Sequence, residues 1–261
     1  RRSHGVDQRK MIAQFSLRLV CGMSLMWVFM PRDQVTTGFF RIQMLVVLGL
    51  AVLAALTVEM GSPGFETASL PISARAAVAS CVAVAAGSFL GSVFGTLGRR
   101  RAGGVFVYAI AAAALIILPA VTVPRSELPA PAGALHVLSE WTSAAVLGAA
   151  VTGMLLGHWY LTAPTMSIAP LNRLNGYLGA AAVMRLIVSS IGLWMAGNQA
   201  FGGSHGLWLA MRWLAGILGP LVVCVMVWRI LKYRNTQSAT GVLFVGVILT
   251  FIGEMSAVLL S

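Results

Sequence analysis

Long apolar stretches alternate along the chain with short links that are rich in Pro, Gly, Ser or Arg. Each stretch is close to the roughly 20 residues that a helix needs to cross the hydrocarbon core of a membrane. Because the links are short, neighbouring helices are expected to be antiparallel. The pattern predicts an all-α polytopic membrane bundle of about eight transmembrane helices, over residues 11–30, 41–58, 77–97, 105–122, 137–160, 174–196, 206–228 and 241–260.

Composition supports a membrane protein. Hydrophobic residues make up 58% of the 261 residues and charged residues only 10%, whereas soluble domains carry about 25% charged residues. Little sequence is left for an aqueous domain. The prediction is a basic N-terminal tail over residues 1–10, followed by a single transmembrane helical bundle over residues 11–261.

The net charge of +11 is spread over links and helix ends, which favours membrane topology and contact with lipids over nucleic-acid binding. Basic residues concentrate after the first, third, fifth and seventh spans, so these links are predicted to be cytoplasmic in a bacterial inner membrane. They are Arg32, Arg41, Arg99, Arg100, Arg101, Arg173, Arg229, Lys232 and Arg234. The basic tail then lies on the opposite side. Either it belongs to a longer segment or the first span is interfacial.

Charged residues inside hydrocarbon are costly and therefore candidates for function. Helix rise places Arg212 about 9 Å into span seven and Glu254 about 20 Å into span eight from the opposite face, so both reach similar depth. We therefore predict that they pair. Arg185 lies near mid-membrane without an acidic partner in this scheme.

The same arithmetic places further charges in that outer third, where they would form one network with the predicted pair. They are Arg18, Glu59 and Glu140. Two interpretations are open: a structural ion pair that locks spans seven and eight, or a site that handles protons or binds a ligand such as a quinone.

A second candidate cluster combines aromatic, imidazole and basic side chains at the other face: His158, Trp159, Tyr160 and Arg173. Trp and Tyr at such depth are typical interface anchors. The alternative is a site for a quinone head group or a lipid phosphate.

Haem b would need two histidines at matching depth on different helices. His136 and His205 share a face, but both begin helices beside links, where solvated histidines are common. The three cysteines lie inside apolar stretches without ligand spacing, so no metal site is predicted.

Glycines and prolines predict how the helices pack. Gly87, Gly91 and Gly95 recur at every fourth position, and Gly153 with Gly157 repeats that spacing, which predicts close helix contacts. Pro220 after Gly219 is expected to kink span seven, and Pro119 to bend span four near its end.

Short motifs in several spans resemble the polytopic quinol-handling anchor subunits of the polysulfide reductase and dimethyl sulfoxide reductase type. They are Glu59-Met60-Gly61-Ser62-Pro63, Trp141-Thr142, Leu155-Leu156-Gly157, Arg212-Trp213 and Phe251-Ile252-Gly253-Glu254. The resemblance implies an eight-helix anchor with quinone as its cofactor. Span three, however, contains no acidic residue to take a quinol proton.

The leading hypothesis is an integral membrane subunit of a respiratory or electron-transfer complex, which binds quinone or anchors a redox partner among other subunits. Under this hypothesis the protein is expected to be a non-catalytic or quinone-binding subunit of an oxidoreductase complex. The alternatives are a structural accessory subunit, which needs no site, and a small-solute or lipid transporter, which needs polar groups at the midplane.

Overall fold

The computed structural model describes residues 2–59, 73–122, 130–163, 166–196 and 205–259. These residues form helices and links without any strand. Eight helices are long and apolar enough to cross a membrane, so the predicted all-α polytopic bundle is confirmed. They are α1 (Arg2–Phe29), α2 (Thr37–Glu59), α3 (Ala74–Thr96), α4 (Arg100–Thr122), α5 (Ala130–Thr162), α6 (Ala169–Ala196), α7 (successive segments His205–Trp213, Leu214–Leu218 and Gly219–Lys232) and α8 (Thr236–Leu259).

Helix ends follow local chemistry. The Ser73 side chain accepts a hydrogen bond from the Ala76 N–H at 3.2 Å and so caps α3. At the start of α8, the Asn235 side chain accepts a hydrogen bond from the Ser238 N–H at 3.0 Å. Gly98, with a φ of 70°, ends α3 in the left-handed region that a glycine adopts without strain. These residues stop and restart the chain within a few positions.

The chain divides into two compact units. Unit 1 comprises Arg1–Phe29 and Thr36–Ala144, and unit 2 comprises Met30–Val35 and Ala145–Ser261. Helix α5 therefore contributes its first part to unit 1 and the remainder to unit 2.

In unit 1, α1 packs on α2 and α4, while α3 packs on the same two helices. The resulting four-helix arrangement is closed, and its interior includes Trp27, Met23 and Leu118, all fully buried. A small apolar cavity lies between the four helices and is bounded by Leu17, Val20, Ala51, Cys81, Val84, Ala114 and Ile117.

Pro119 shows how unit 1 tolerates a proline inside a helix. Proline has no N–H, so the carbonyl of Leu115, four residues earlier, loses its helical donor. The indole Nε1–H of Trp141 on α5 donates to that carbonyl at 3.1 Å. A backbone group that would be costly to leave unsatisfied in a membrane is thereby paired.

In unit 2, α7 packs against both α6 and α8. The middle segment of α7, Leu214–Leu218, is π-helical, and the Gly219 N–H donates to the Leu214 carbonyl five residues earlier. The wide turn directly precedes Pro220, which cannot donate to the carbonyl of Gly216. The expected irregularity of span seven thus takes the form of a π-helical turn.

The glycines vary in how closely they pack. A Cβ added to Gly91 would lie 2.9 Å from Sδ of Met44, and one added to Gly157 would lie 2.7 Å from Oγ1 of Thr240. Gly95 has no atom within 4 Å of such a Cβ. The tightest approaches of the series are therefore at Gly91 and Gly157, Gly87 and Gly153 are in ordinary van der Waals contact, and a Cβ at Gly95 would meet open space.

Gly91→Leu should destabilise the protein much more than Gly95→Leu. The first change forces a side chain into atoms of α2 and α4, because Phe106 Cβ also lies 3.1 Å from the added Cβ, whereas the second meets open space. Thermal unfolding in detergent would measure both. Equal midpoints for the two variants would contradict the assigned contact.

Candidate functional site

A buried ion pair joins α6 to α8. Arg185 Nε donates to Glu254 Oε1 at 3.0 Å, and Arg185 Nη2 donates to Glu254 Oε2 at 3.0 Å. Both side chains are 2% exposed. This two-point geometry satisfies both carboxylate oxygens and is the strongest form of an arginine–carboxylate contact.

Two further side chains extend this pair. Ser189 lies one turn beyond Arg185 on α6, and its Oγ accepts a hydrogen bond from Arg212 Nη2 at 3.3 Å. Arg212 belongs to the α7 segment that directly precedes the π-helical turn and is half-buried. We call Arg185, Ser189, Arg212 and Glu254 the Arg185 cluster.

The cluster corrects one sequence-based expectation. Glu254 is bound at two points by Arg185, so the prediction that Arg185 has no acidic partner is wrong. Arg212, the predicted partner of Glu254, reaches the same cluster through Ser189. From the first residues of α6 and α8, Arg185 and Glu254 lie about 24 and 27 Å along their helices, hence at matching depth.

The second buried pair lies in unit 1. Arg18 Nε donates to Glu140 Oε2 at 2.9 Å, and Arg18 Nη2 donates to Glu140 Oε1 at 2.6 Å. Gln14, one turn before Arg18, donates to Glu140 Oε1 at 3.0 Å. Of the residues predicted to form one network, Arg18 and Glu140 thus form a bidentate pair in unit 1, and Glu254 forms another with Arg185 in unit 2. Glu59 ends α2, and its side chain lies outside the described residues.

The aromatic run near the end of α5 does not form one face. Tyr160 is buried, and its hydroxyl donates to the carbonyl of Ser167 in the following link. His158, two positions earlier, is exposed, because residues two apart point to different sides of a helix. Trp159 is half-buried and Arg173, near the start of α6, is exposed. The hydrogen bond of Tyr160 thus stabilises the link between α5 and α6, whereas the His158 side chain is exposed on the surface of the helix.

The two histidines considered for haem belong to different units. His136 is exposed on α5 within unit 1. His205 is the first residue of α7, and its side chain lies outside the described residues. Among the residues with described placement, no group of three or more His, Cys, Asp or Glu side chains could hold a metal ion.

Among the described glycines of unit 2, the closest approach of a neighbouring helix lies beside the Arg185 cluster. A Cβ added to Gly253, the neighbour of Glu254, would lie 2.0 Å from Cα of Gly216 in the π-helical turn. The backbones of α7 and α8 therefore touch at this level. This contact was not predicted from the sequence, although both glycines lie close to charged residues in their spans.

A polar contact between α6 and α7 was also not predicted. Asn175 Nδ2 donates to the carbonyl of Cys224 at 2.9 Å, and Cys224 Sγ donates to the carbonyl of Asn175 at 3.2 Å. Gly179 permits this approach, since a Cβ there would lie 2.7 Å from Cys224 Sγ. This contact joins α6 to α7 near the start of α6, about ten residues before Arg185 along that helix.

Comparison of the chain with models of protein families, with curated proteins and with solved structures gave no match. The site must therefore be interpreted from its own geometry.

Proposed function

We propose that this integral membrane protein is a subunit of an electron-transfer complex and that Glu254 exchanges a proton with a quinol head group. The complex would lie in a bacterial inner membrane, with redox centres in partner subunits. The observation that carries the proposal is a carboxylate held within the spans by a bidentate arginine, next to a second arginine.

Quinol oxidation releases two electrons and two protons, and it takes place within the membrane because the quinol tail is apolar. The site therefore needs a carboxylate as proton acceptor and a donor that orients the quinol oxygen. In the proposed reaction Glu254 would take up a proton at one of the two oxygens that Arg185 holds. The half-buried guanidinium of Arg212 is suited to donate to the oxygen.

The sequence adds two kinds of support. Glu254 is the sole acidic residue in residues 145–261, so a proton acceptor of the carboxylate type in these spans can be no other residue. The motifs Arg212-Trp213 and Gly253-Glu254, which resemble those of quinol-handling anchor subunits, both fall on this site.

The second candidate function is that of a structural accessory subunit. It is favoured because, in both buried ion pairs, an arginine binds both oxygens of the carboxylate. Arg185 donates to both carboxylate oxygens of Glu254, and Arg18 donates to both carboxylate oxygens of Glu140. A pair closed in this way can hold two helices in register without any ligand.

Glu254→Gln should separate the two functions. Glutamine keeps the shape of the side chain and one oxygen that can accept from Arg185, but it cannot take up a proton, so the fraction of the variant that assembles should lose quinol oxidation by the complex. The measurement is purification in mild detergent, identification of co-purifying redox subunits and quinone, and quinol-dependent electron transfer.

Ser256→Ala is the matched control, because Ser256 is a buried polar residue on the same helix. Its hydroxyl donates to the carbonyl of Ile252, four residues earlier on that helix. This control should retain turnover. Normal quinol oxidation in assembled Glu254→Gln would contradict the proton-transfer proposal and leave the structural function.

A further inference from the structure

The last segment of α7, Gly219–Lys232, has one buried side and one exposed side. Its buried residues recur every three or four positions, which is the spacing of one side of a helix: Pro220, Val223, Val227 and Leu231. Exposed residues lie between them: Val222, Val225, Met226, Trp228, Arg229 and Lys232. Because an exposed apolar surface of this kind marks a site of interaction with membrane or protein, the exposed side of α7 is available to a lipid molecule.

The exposed side changes in chemistry along the helix axis. Val222 and Val225 are aliphatic, Trp228 follows, and Arg229 and Lys232 come last. At a rise of about 1.5 Å per residue, the stretch from Val222 to Lys232 covers about 15 Å. An anionic phospholipid presents matching groups in the same order, namely acyl chain, ester region and phosphate. Tryptophan is enriched at the depth where the polar part of the lipid begins, so the surface matches one lipid molecule in a single orientation.

Lys232 is held in place by Trp228. Its Nζ lies 3.6 Å from the centroid of the indole ring, a cation–π contact between residues four apart, which share one side of the helix. The ring occupies one side of the ammonium group, so the remaining N–H donors can bind an oxygen. A lysine loses side-chain freedom when it binds a ligand, and this contact reduces that loss in advance. Both side chains are exposed, so a phosphate can reach them.

A further cation lies in the turn that follows α7. The Tyr233 N–H donates to the carbonyl of Ile230 and the Arg234 N–H donates to that of Leu231, both at 3.0 Å. Arg234 has a φ of 55°, in the left-handed region where glycine or asparagine is usual after a helix. An arginine there carries backbone strain that glycine would avoid, and strained residues cluster at binding sites. The turn therefore adds an exposed cation two residues beyond Lys232.

We propose that this side of α7 binds one anionic phospholipid. The phosphate lies at Lys232 and Arg234, the indole of Trp228 lies beside the ester region, and an acyl chain follows Val222 and Val225. The continuity of apolar and cationic surface favours a lipid over an acidic protein segment, which would need the cations alone. The link after α7 is also predicted to be cytoplasmic, and the anionic lipids of that leaflet attract basic residues. The inference goes beyond the proposed function, because it requires neither quinone nor proton transfer.

The test uses the purified full chain, depleted of lipid in detergent. Phosphatidylglycerol and phosphatidylcholine with the same acyl chains are titrated separately, and native mass spectrometry counts the lipids bound to each chain. The first phosphatidylglycerol should bind with saturation and at least about tenfold more tightly than the first phosphatidylcholine, because it gains a charge-assisted contact. A titration with inorganic phosphate should give no saturable shift of the thermal unfolding midpoint, because phosphate lacks the apolar contact.

Variants assign the binding to this side of α7. Lys232→Gln should weaken binding of the first phosphatidylglycerol about tenfold or more, since it removes the cation at the phosphate. Trp228→Leu should also weaken it, although no charge is lost, because the indole positions Lys232. Arg41→Gln is the matched control: Arg41 is exposed near the start of α2 and is predicted to lie on the same side of the membrane. This control should leave the affinity unchanged.

Arg234→Gly separates lipid binding from stability. Glycine removes the cation and also relieves the strain of the left-handed backbone. Lipid affinity should therefore fall, whereas the lipid-free chain should unfold at the same midpoint as the wild type or at a higher one.

Three results would overturn the inference: equal affinity for the two lipids, an equal loss of affinity in Arg41→Gln and Lys232→Gln, or a saturable response to inorganic phosphate alone. The second of these would show attraction by surface charge without a site. If Lys232→Gln does not fold, Trp228→Leu replaces it, and unchanged affinity in that variant has the same meaning. The titrations contain no quinone and do not involve Glu254, so a negative result leaves the proton-transfer proposal standing.

Discussion

Arg185→Leu with Glu254 retained should be the most destabilising loss of a charge within the spans of unit 2. The change leaves a carboxylate buried without its bidentate partner, in a place where water cannot replace the lost donors. Breaking one side of a buried pair typically costs on the order of 3–5 kcal/mol. Unfolding in detergent micelles, followed by tryptophan fluorescence, would measure the loss.

The double variant Arg185→Leu with Glu254→Leu should recover most of that stability, because it removes both charges and fills the space with apolar groups. Arg229→Leu serves as control, since Arg229 is exposed at the far end of α7. A double variant as unstable as the single one would contradict this interpretation. A single variant as stable as the control would contradict the predicted cost of breaking the pair.

The number and type of spans were predictable because apolar length is a local property. The eight predicted stretches correspond to the eight helices, yet several helices begin earlier than predicted. Helix α6 begins at Ala169 instead of residue 174, and α5 at Ala130 instead of residue 137. Apolar length records the part of a helix that lies in hydrocarbon, whereas the hydrogen-bonded helix continues beyond it. The added residues of α6 include the polar Asn172 and Arg173, and those of α5 are mainly alanine, glycine and proline.

The partner of Glu254 was missed although its depth was available from the sequence. Counted from the predicted starts of spans six and eight, Arg185 and Glu254 lie about 17 and 20 Å from the same face, a difference that an arginine side chain covers. Depth alone, however, cannot choose between Arg185 and Arg212. The choice depends on how each helix is rotated about its axis, and packing decides that rotation.

The π-helical turn illustrates what local sequence does not determine. Pro220 indicates an irregular helix, but it does not distinguish a kink from a widened turn. In the structure, the widened turn brings Gly216 against Gly253 on a helix that lies more than thirty positions later in the chain. Such a turn depends on tertiary contact and therefore could not be predicted from the residues around Pro220 alone.

Gly253→Ala should damage the packing of α7 on α8 although it adds only one methyl group. The new Cβ would lie 2.0 Å from Cα and 2.2 Å from N of Gly216, and both are backbone atoms that cannot rotate away. The helices must separate, and the adjacent Glu254 must then move relative to Arg185. We expect a loss of about 3 kcal/mol, the upper part of the usual range for overpacking.

Two further glycines allow a ranked test of the contact. Gly241→Ala on the same helix has open space within 4 Å and should be close to neutral. Gly216→Ala, whose Cβ would lie 2.9 Å from Cα of Gly253, should fall between the two. Unfolding free energies in detergent micelles would establish the order. If Gly253→Ala were as stable as Gly241→Ala, the backbones of α7 and α8 could not touch at this level, and the alignment of Glu254 with Arg185 would need another cause.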